Sequence, residues 1–564
     1  MKNSKKIFID KVSKIFDINK DLVLGPWCLK DTYSINKIYE FKKKGLYFEN
    51  ELTNNPEAFK SIEIQHKDLI NEISTYIKTI NNLDTSLEFC KNLTNFWFIN
   101  FINIFHFCQR LANLYIKKFA DDDIELIKFY KKDSLKFETP YDFVAKIAHD
   151  EILLSSLILD LIIMKVPSNW KVTYLNHSYF NNKSKNFTKK NFIQKTKKIF
   201  SNILAPRVRD VYGFNLFEKI YLSLILTLKN KINRKFTKYN IYSNLKYDPL
   251  VPPISNEDLI KLAKIYLPLS LKKIKKGKIK KENKNNQIML CSPISLFVDS
   301  DDQLELNLFK ENGGKIISVQ HGSSYGDLFF RSDHAEQSYD KFISWGHETH
   351  SNFDIKFDPL PSPQLKKMKQ DNFGSKVLFV STSYVFYDVR YGFRDFTDSY
   401  MRFKNTENFF DKLNSNIIKN VEFKGSLAGH FSEIETLKKN YSELNIINQV
   451  PEKRIKNTKL VVTNNYSTFF FKCLASNIPV ILFTKPDTWK LNEKAKKIFE
   501  ELERNGIIYS DAYLAAEKVN NDFNNIDEWW NKDQIQKSRI KFCKEFAWND
   551  KDYLNYWKNY LWNL

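Results

Sequence analysis

The run Ser318-Val319-Gln320-His321-Gly322-Ser323-Ser324-Tyr325-Gly326 carries the strongest chemical signal in the chain. An apolar strand pattern runs straight into Gln-His-Gly. Gly322 permits a tight turn, so the histidine is expected at the carboxyl edge of a sheet, where open α/β folds place function. An imidazole there can take a proton from an attacking hydroxyl or hydrogen-bond a phosphate. Ser323, Ser324 and Gly326 are small enough for backbone N–H groups to approach an anion. A histidine that merely ends a strand is the plainer reading of His-Gly alone; the strand-to-loop setting favours the functional one.

Two further segments offer phosphate chemistry. In Thr463-Asn464-Asn465-Tyr466-Ser467-Thr468, between the strand pattern KLVVT and the helix pattern STFFFKCLASN, Ser467 or Thr468 is placed to cap a helix. A helix start gathers unpaired N–H groups and the positive end of the dipole, which suits a phosphate. Ser381, Thr382 and Ser383 follow another predicted strand, 377–380, with Arg390 and Arg394 beyond. The hydroxyls suit phosphate, and an arginine fork suits phosphate or carboxylate. Ordinary capping and a solvated loop are the structural alternatives.

Other signals are weaker. His347-Glu348-Thr349-His350 has the wrong spacing for the zinc-protease helix, and neither a Walker loop nor a GxGxxG fingerprint occurs. Asp299, Asp301 and Asp302 could supply a base or form a polar turn. No metal site is expected.

These segments need a scaffold. Residues 1–285 read as mostly helical, apart from the strand-like run 22–24 before Gly25-Pro26-Trp27-Cys28. From 287 onward short apolar runs alternate with helical stretches: strands are expected at 287–291, 295–298, 315–319 and 342–345. After the Pro-containing stretch 358–363 a second series follows, at 377–380, 421–423, 444–447, 460–463 and 480–483. Helices at 406–413 and 492–504 lie between them, and aromatic-rich helices are expected across 535–564. Strands alternating with helices predict parallel, doubly wound sheets. The expected division is an N-terminal domain over 1–365, a C-terminal domain over 366–535 and helices over 536–564 that pack back on the first domain. The Lys-rich stretch 271–286 reads either as a solvated linker or as a surface for anionic lipid.

With 564 residues the chain has room for about three to five domain-equivalents. A hydrophobic share of 43% and an aromatic share of 15% exclude a disordered chain. The six cysteines are scattered without a CxxC pair, which argues against a disulfide framework and fits a reducing, cytoplasmic setting. The net charge is +22, yet only 11 of the 88 cations are arginine. A Lys-rich solvated surface accounts for that charge; attraction to nucleotide phosphates, anionic glycans or an anionic membrane face is the functional alternative. Base readout favours arginine, so no specific nucleic-acid partner is expected. The apolar windows 96–108 and 152–164 contain Asn100, Asn103, His106 and Asp160 and are too short for a bilayer span. Any membrane association is expected to be peripheral, at the inner membrane.

Leu24-Gly25-Pro26-Trp27-Cys28, Gln320-His321-Gly322 with Tyr325-Gly326, Trp345-Gly346 and the 463–468 segment together resemble the O-antigen transferases of the LIC family, in an order that spans nearly the whole chain. More distantly, the Gln-His-Gly loop and the late strand–Tyr-Ser–helix resemble capsule Kdo transferases and CDP-glycerol glycerophosphotransferases. Two departures stand out: the family loop often reads Gln-His-Gly-Gly, where this chain has Ser323, and an acidic residue commonly precedes Tyr-Ser in the distant relatives, where Asn465 stands here. The resemblance implies a GT-B-like α/β fold, with two Rossmann-like domains facing a cleft, a large helical portion in the N-terminal domain and C-terminal helices. It also implies a metal-independent glycosyltransferase of surface polysaccharide (O-antigen or capsule) biosynthesis. Its donor would be a nucleotide sugar, with a CMP-activated acidic sugar one option, and its acceptor a glycan or lipid-linked glycan. No cofactor besides the donor substrate is expected. Carried onto this sequence, His321 and Gln320 are the catalytic candidates. Gly322, Ser323, Tyr325, Ser381, Thr382, Ser383, Arg394, Asn465, Tyr466, Ser467 and Thr468 are the donor-binding ones. The rivals are a CDP-polyol phosphotransferase of the same architecture and a non-catalytic glycan- or RNA-binding protein.

Overall fold

The computed structural model of the chain describes residues 5–49, 56–131, 137–166, 168–178, 198, 200–229, 255–274, 279, 282–292, 300–328, 339–350, 353–370, 374–387, 389, 395–426, 429–485, 489 and 491–564. Two compact units divide it. One comprises Met1–Phe187, Leu245–Ile274 and Tyr384–Tyr400; the other comprises Thr188–Asn244, Lys275–Ser383 and Met401–Leu564.

The first unit holds four parallel strands, β1 (Lys5–Phe8), β2 (Leu22–Val23), β3 (Ile124–Lys131) and β4 (Trp170–Ser178), in the order β2-β1-β3-β4. β1, β3 and β4 correct the mostly helical reading of 1–285. Charged residues interrupt them, and one is turned inward: Lys128 of β3 is buried, with Nζ donating to Ser156 Oγ at 2.7 Å. The helix Leu87–Lys118 begins at Ser86, whose Oγ accepts the Phe89 N–H at 3.0 Å. Its buried Asn100 and Asn103 donate to carbonyls one turn back, Phe96 O at 2.8 Å and Ile99 O at 2.9 Å. The Nδ2 group of each is thereby bonded inside a protein core. Among the described residues no helix is long and apolar enough to cross a membrane. The Gly-Pro-Trp-Cys segment forms a short turn, Pro26–Leu29, and the buried Trp27 Nε1 donates to Ile9 O and to Ser155 Oγ at 3.1 Å. A Cβ on Gly25 would lie 2.1 Å from the Trp27 ring, so this motif is fixed by packing.

The second unit contains two larger parallel sheets. β5 (Val208–Arg209), β6 (Ile288–Cys291), β7 (Lys315–Val319) and β8 (Lys341–Ser344) form one of them. A small hairpin, β9 (Thr349–His350) with β10 (Phe353–Lys356), leads to the edge strand β11 (Asp358–Pro359), giving the order β11-β8-β7-β6-β5. The Pro-containing stretch 358–363, which precedes the second strand series, thus itself supplies a strand. The expected strand 295–298 lies outside the described residues.

The other sheet holds β12 (Lys376–Val380), β13 (Val421–Lys424), β14 (Asn445–Ile446), β15 (Thr458–Thr463), β16 (Val480–Phe483) and β17 (Ile508–Tyr509). Its order is β14-β13-β12-β15-β16-β17, and every pairing is parallel. That is the doubly wound 3-2-1-4-5-6 arrangement. At its centre Phe379 is enclosed by Phe409, Phe410, Phe423 and Phe483, with ring centroids 5.1 to 5.9 Å away. Burying each such ring contributes roughly 1.5–3 kcal/mol, so the middle strands form the rigid part of this layer. The tail helix Asp533–Phe546 packs into the same core through Ile535 and Phe542, whereas Tyr553–Trp562 places Trp557 and Leu561 against the five-stranded sheet. All six cysteines are free thiols. The expected α/β class, with Rossmann-like parallel sheets and helical elaboration, is what the chain forms.

Candidate functional site

In the six-stranded sheet the chain leaves β12 toward β13 on one side and returns at β15 on the other. The carboxyl ends of β12 and β15 therefore flank a topological switch point, where open sheets of this kind leave a crevice for ligands. The loop 381–383 leaves the first strand and the loop 464–467 leaves the second. Both predicted phosphate segments thus stand side by side.

Asn464 locks them together. Its Oδ1 accepts the Thr382 N–H at 3.0 Å, and its Nδ2 donates to Ser381 Oγ at 3.1 Å and to Thr406 Oγ1 at 2.7 Å. Beside it Thr463 Oγ1 donates to Val380 O at 2.8 Å. Asn464, Ser381, Thr382 and Thr406 are all buried. Ser383 is half-buried, and its carbonyl accepts from Nη2 of the buried Arg402 at 3.2 Å. Near these groups lies Glu433, fully buried at the start of the helix Ile434–Asn440. Burial pushes its carboxyl up to about 7, against the opposing pull of the Ser381 hydroxyl and the Arg402 charge.

Ser467 is the N-cap of the helix Thr468–Ala475, with extended backbone at φ −140°, but its side chain makes no capping hydrogen bond. The Thr468 hydroxyl is turned to another chain segment, accepting the Ser323 N–H at 3.1 Å. This helix start is therefore not satisfied by its own cap side chain, and it carries the positive end of the dipole.

The loop that reaches it leaves β7. The Gln320 N–H continues the ladder to Ile343 O at 2.9 Å. Its carboxamide is engaged at both ends: Nε2 donates to Gly322 O at 2.7 Å, and Oε1 accepts the Trp345 N–H at 2.8 Å. His321 is half-buried, with Nδ1 bonded to the Tyr325 hydroxyl at 2.5 Å. Tyr325 is itself buried and stacked on Phe342 at 5.3 Å. The bond fixes the ring's orientation whichever partner donates. With Nδ1 as donor, Nε2 is the basic nitrogen.

After Tyr325, Gly326 has no room for a side chain, since a Cβ would stand 2.3 Å from the His347 ring. Asn492 then ties the loop's far end, donating from Nδ2 to Gly326 O at 2.7 Å and from its backbone to Asp327 O at 2.8 Å. The buried Tyr466 hydroxyl donates to Asp327 Oδ2, and burial followed by the Asp327 charge holds that phenol well above its usual range.

The structure thus brings together the loop carrying Gln320, His321, Gly322, Ser323 and Tyr325 with the helix start at Ser467 and Thr468. It joins the latter segment to Ser381 and Thr382 through Asn464. Tyr466 faces inward as a brace; Asn465 is half-buried, with its N–H on Thr463 Oγ1 at 3.1 Å. Arg390 and Arg394 lie outside the described residues. Asp301 and Asp302 sit in the first turn of the helix Ser300–Glu311, where Asp302 pairs with Lys198; Asp299 lies outside the described residues. Among the described residues no group of three or more His, Cys, Asp or Glu side chains is arranged to hold a metal. Sequence reading missed Arg402, Thr406 and Glu433, which belong to helical stretches and approach the crevice only through the fold. It also passed over Asn464, although that residue stands inside the recognised segment.

A family model described as LIC12162 family transferase matches residues 6–561. No curated protein matches the chain. Among solved structures, the wall teichoic acid polymerase TagF is similar at 14% identity, over 66% of this chain and 97% of that one, with a TM-score of 0.30. Arabidopsis thaliana UGT89C1 is similar at 9% identity, over 80% and 96% of the two chains, with a TM-score of 0.29. The glycotransferase of kitacinnamycin is similar at 10% identity, over 49% and 76%, with a TM-score of 0.27. The fold assignment rests on the strand order itself.

Proposed function

The chain belongs to the LIC12162 family of transferases, and from that premise we propose that it transfers a glycosyl group from a nucleotide-activated sugar to a glycan or lipid-linked glycan acceptor in surface-polysaccharide assembly. One observation carries this reading. The two hydroxyl-rich loops and an open helix start share the switch point of a 3-2-1-4-5-6 sheet, and the His321 loop is bonded to that same helix start. A nucleotide donor is the ligand such a crevice suits.

In the proposed reaction the acceptor oxygen forms a bond to the anomeric carbon while the bond from that carbon to the donor phosphate breaks. The departing nucleotide keeps the electron pair. His321 takes the acceptor proton. The first-turn amides of Thr468–Ala475, with Ser467, Thr468 and the 381–383 loop, stabilise the phosphate as its charge grows. This route draws its leaving-group stabilisation from protein dipoles, and the donor is a substrate, so no further cofactor enters it. Gln320, Gly322, Ser323 and Tyr325 hold the loop in shape, and Arg394 is the proposed partner of a donor carboxylate or phosphate. A CMP-activated acidic sugar suits the basic chain.

The test is turnover with a panel of nucleotide sugars, read by nucleotide release and product mass. A gain of one sugar without phosphate is expected, and His321→Ala should lower kcat by about 10²- to 10⁴-fold while leaving folding intact. Retained phosphate on the product would identify a polyol phosphotransferase instead, and near-normal turnover by the variant would remove His321 from the chemistry.

A further inference from the structure

We propose that a cavity at the C-terminal end of the helix Thr468–Ala475 binds a sugar phosphate, at a place separate from the β12–β15 switch point. The cavity has a volume of about 510 Å³. That is room for a small molecule rather than a bare ion. The 8 residues of the helix, roughly 12 Å at the helical rise, separate it from the helix start at Ser467, so one phosphate does not reach both places.

Its walls are segments that the fold holds still. The chain leaves the five-stranded sheet at β11 and enters the six-stranded sheet at β12; it returns between the helices Asp533–Phe546 and Tyr553–Trp562. The two crossings are bonded to each other, the Ser362 N–H donating to Trp548 O at 2.8 Å. The first supplies Lys366 and Lys367, held between the buried Leu365 and Met368, whose N–H donates to Ser476 Oγ at 2.9 Å. The second supplies Asn549 and Lys551, and the helix Asp533–Phe546 adds Arg539. Asn477, with its left-handed φ of 57°, ends the helix Thr468–Ala475 at the cavity.

The charge of the lining calls for a phosphate. Lys366, Lys367, Arg539 and Lys551 face one acid, Asp550. Lys366 pairs with Glu218, in the first turn of the helix Leu216–Leu228, at 3.0 Å. Asp550 Oδ1 accepts the Asp552 N–H at 2.8 Å. Lys367, Arg539 and Lys551 have no carboxylate partner among the described residues. Arg539 is half-buried and fixed in place, with Nε donating to Gln536 Oε1 at 2.9 Å and Nη1 to Leu474 O at 2.7 Å. Burial holds its guanidinium below the usual range, against the opposing pull of Cys543, and an anion beside it offsets that cost. The negative end of the helix is covered. Leu474 O accepts from the Asn477 N–H at 3.1 Å as well as from Arg539, and Ala475 O accepts from Asn549 Nδ2 at 3.2 Å. Two lysines and an arginine without acids match the two charges and several acceptor oxygens of a phosphate monoester; a single carboxylate leaves most of them unmatched.

The rest of the lining sets what the phosphate is attached to. Asn477 Oδ1 accepts from Trp530 Nε1 at 2.9 Å, while among the described residues Asn477 Nδ2 and Asn549 Oδ1 have no protein partner. A donor and an acceptor of this kind suit hydroxyl groups. Tyr553 brings the aromatic ring of the lining, and that ring is already engaged by the Phe214 ring at 6.2 Å and by Lys366 Nζ at 5.2 Å. Hydrogen bonding rather than base stacking is therefore what the cavity offers, which fits a sugar and not a nucleoside.

The experiment is isothermal titration of the full chain with glucose 1-phosphate, glucose 6-phosphate, inorganic phosphate, CMP and glucose, with amide hydrogen exchange to place the site. Wild type is compared with the double variant Lys367→Ala, Lys551→Ala, whose changed side chains are exposed. At least one sugar phosphate should bind the wild type more tightly than inorganic phosphate or glucose does, and should slow exchange in 476–478 and 549–553. CMP should leave exchange there unchanged. The variant should melt at the wild-type temperature and bind the same sugar phosphate at least about tenfold more weakly. No binding of either sugar phosphate, equal binding by the variant, inorganic phosphate bound as tightly as the sugar phosphates, or protection confined to 381–383 and 464–470 would each overturn the proposal.

Discussion

The Ser323 N–H donates to the Thr468 hydroxyl at 3.1 Å, binding the loop that carries His321 to the first turn of the helix at the switch point. Residues 145 positions apart thereby hold an imidazole and a positive helix end in fixed relation. Removing that bond should disturb catalysis more than folding. Thr468→Val keeps the side-chain shape and leaves the Ser323 N–H without its partner, which costs about 1 kcal/mol of stability. Turnover should fall further than that figure alone implies, because the base loses its position. Equal losses in turnover and stability would contradict this.

Ser467→Ala separates capping from ligand binding. An N-cap substitution usually costs 0.5–2 kcal/mol, or about 1. The Ser467 side chain makes no cap bond, so the expected loss of stability is below about 0.5 kcal/mol. The KM for the donor should nonetheless rise by about 2- to 10-fold, the worth of one hydrogen bond. Thermal unfolding and steady-state kinetics on the same preparation check both parts.

Tyr325→Phe removes the hydroxyl bonded to His321 Nδ1 and nothing from the ring stacked on Phe342. The imidazole loses its orienting partner. We expect kcat to drop by about tenfold with KM for the donor unchanged. A rise in KM without a change in kcat would assign Tyr325 to binding.

Glu433 predicts a pH dependence of stability. Its carboxyl rises from an ordinary 4.5 to about 7 in the fold, so between those values the folded chain binds more protons than the unfolded one. Stability contributed by the protonated form is complete below about pH 4.5 and is lost as pH rises through about 7. The full effect is at most about 3 kcal/mol. Glu433→Gln should flatten the melting temperature between pH 5 and pH 8, about the window of that titration, and leave the variant the more stable protein at the upper end. A wild-type profile that rises with pH in this range would refute the buried, proton-holding carboxyl.

Much of this site is legible in the sequence where local pattern and tertiary role coincide. β7 and β16 are the expected strands at their expected bounds, and β15 differs only by starting two residues earlier, because each is a short apolar run closed by a turn signal. The Gln-His-Gly and Tyr-Ser-Thr segments are recognisable because a strand stops and small or polar residues begin. The groups that lock the crevice are harder to see. Arg402 and Thr406 sit within the helix Phe396–Lys412, and Glu433 follows β13, the strand beside β12; each enters only through strand order, which local periodicity does not encode. β3 escaped for the opposite reason, since the buried Lys128 breaks its apolar pattern while its stem is sheltered in the core.

The central claim is that the β12–β15 switch point receives the nucleotide of the donor. The most direct measurement is amide hydrogen exchange of the whole chain, alone and with CMP, CDP, UDP, GDP or dTDP. Slowed exchange in both 381–383 and 464–470 with at least one nucleotide, accompanied by a raised melting temperature, is the predicted result. Unchanged exchange in both segments with every nucleotide would contradict it.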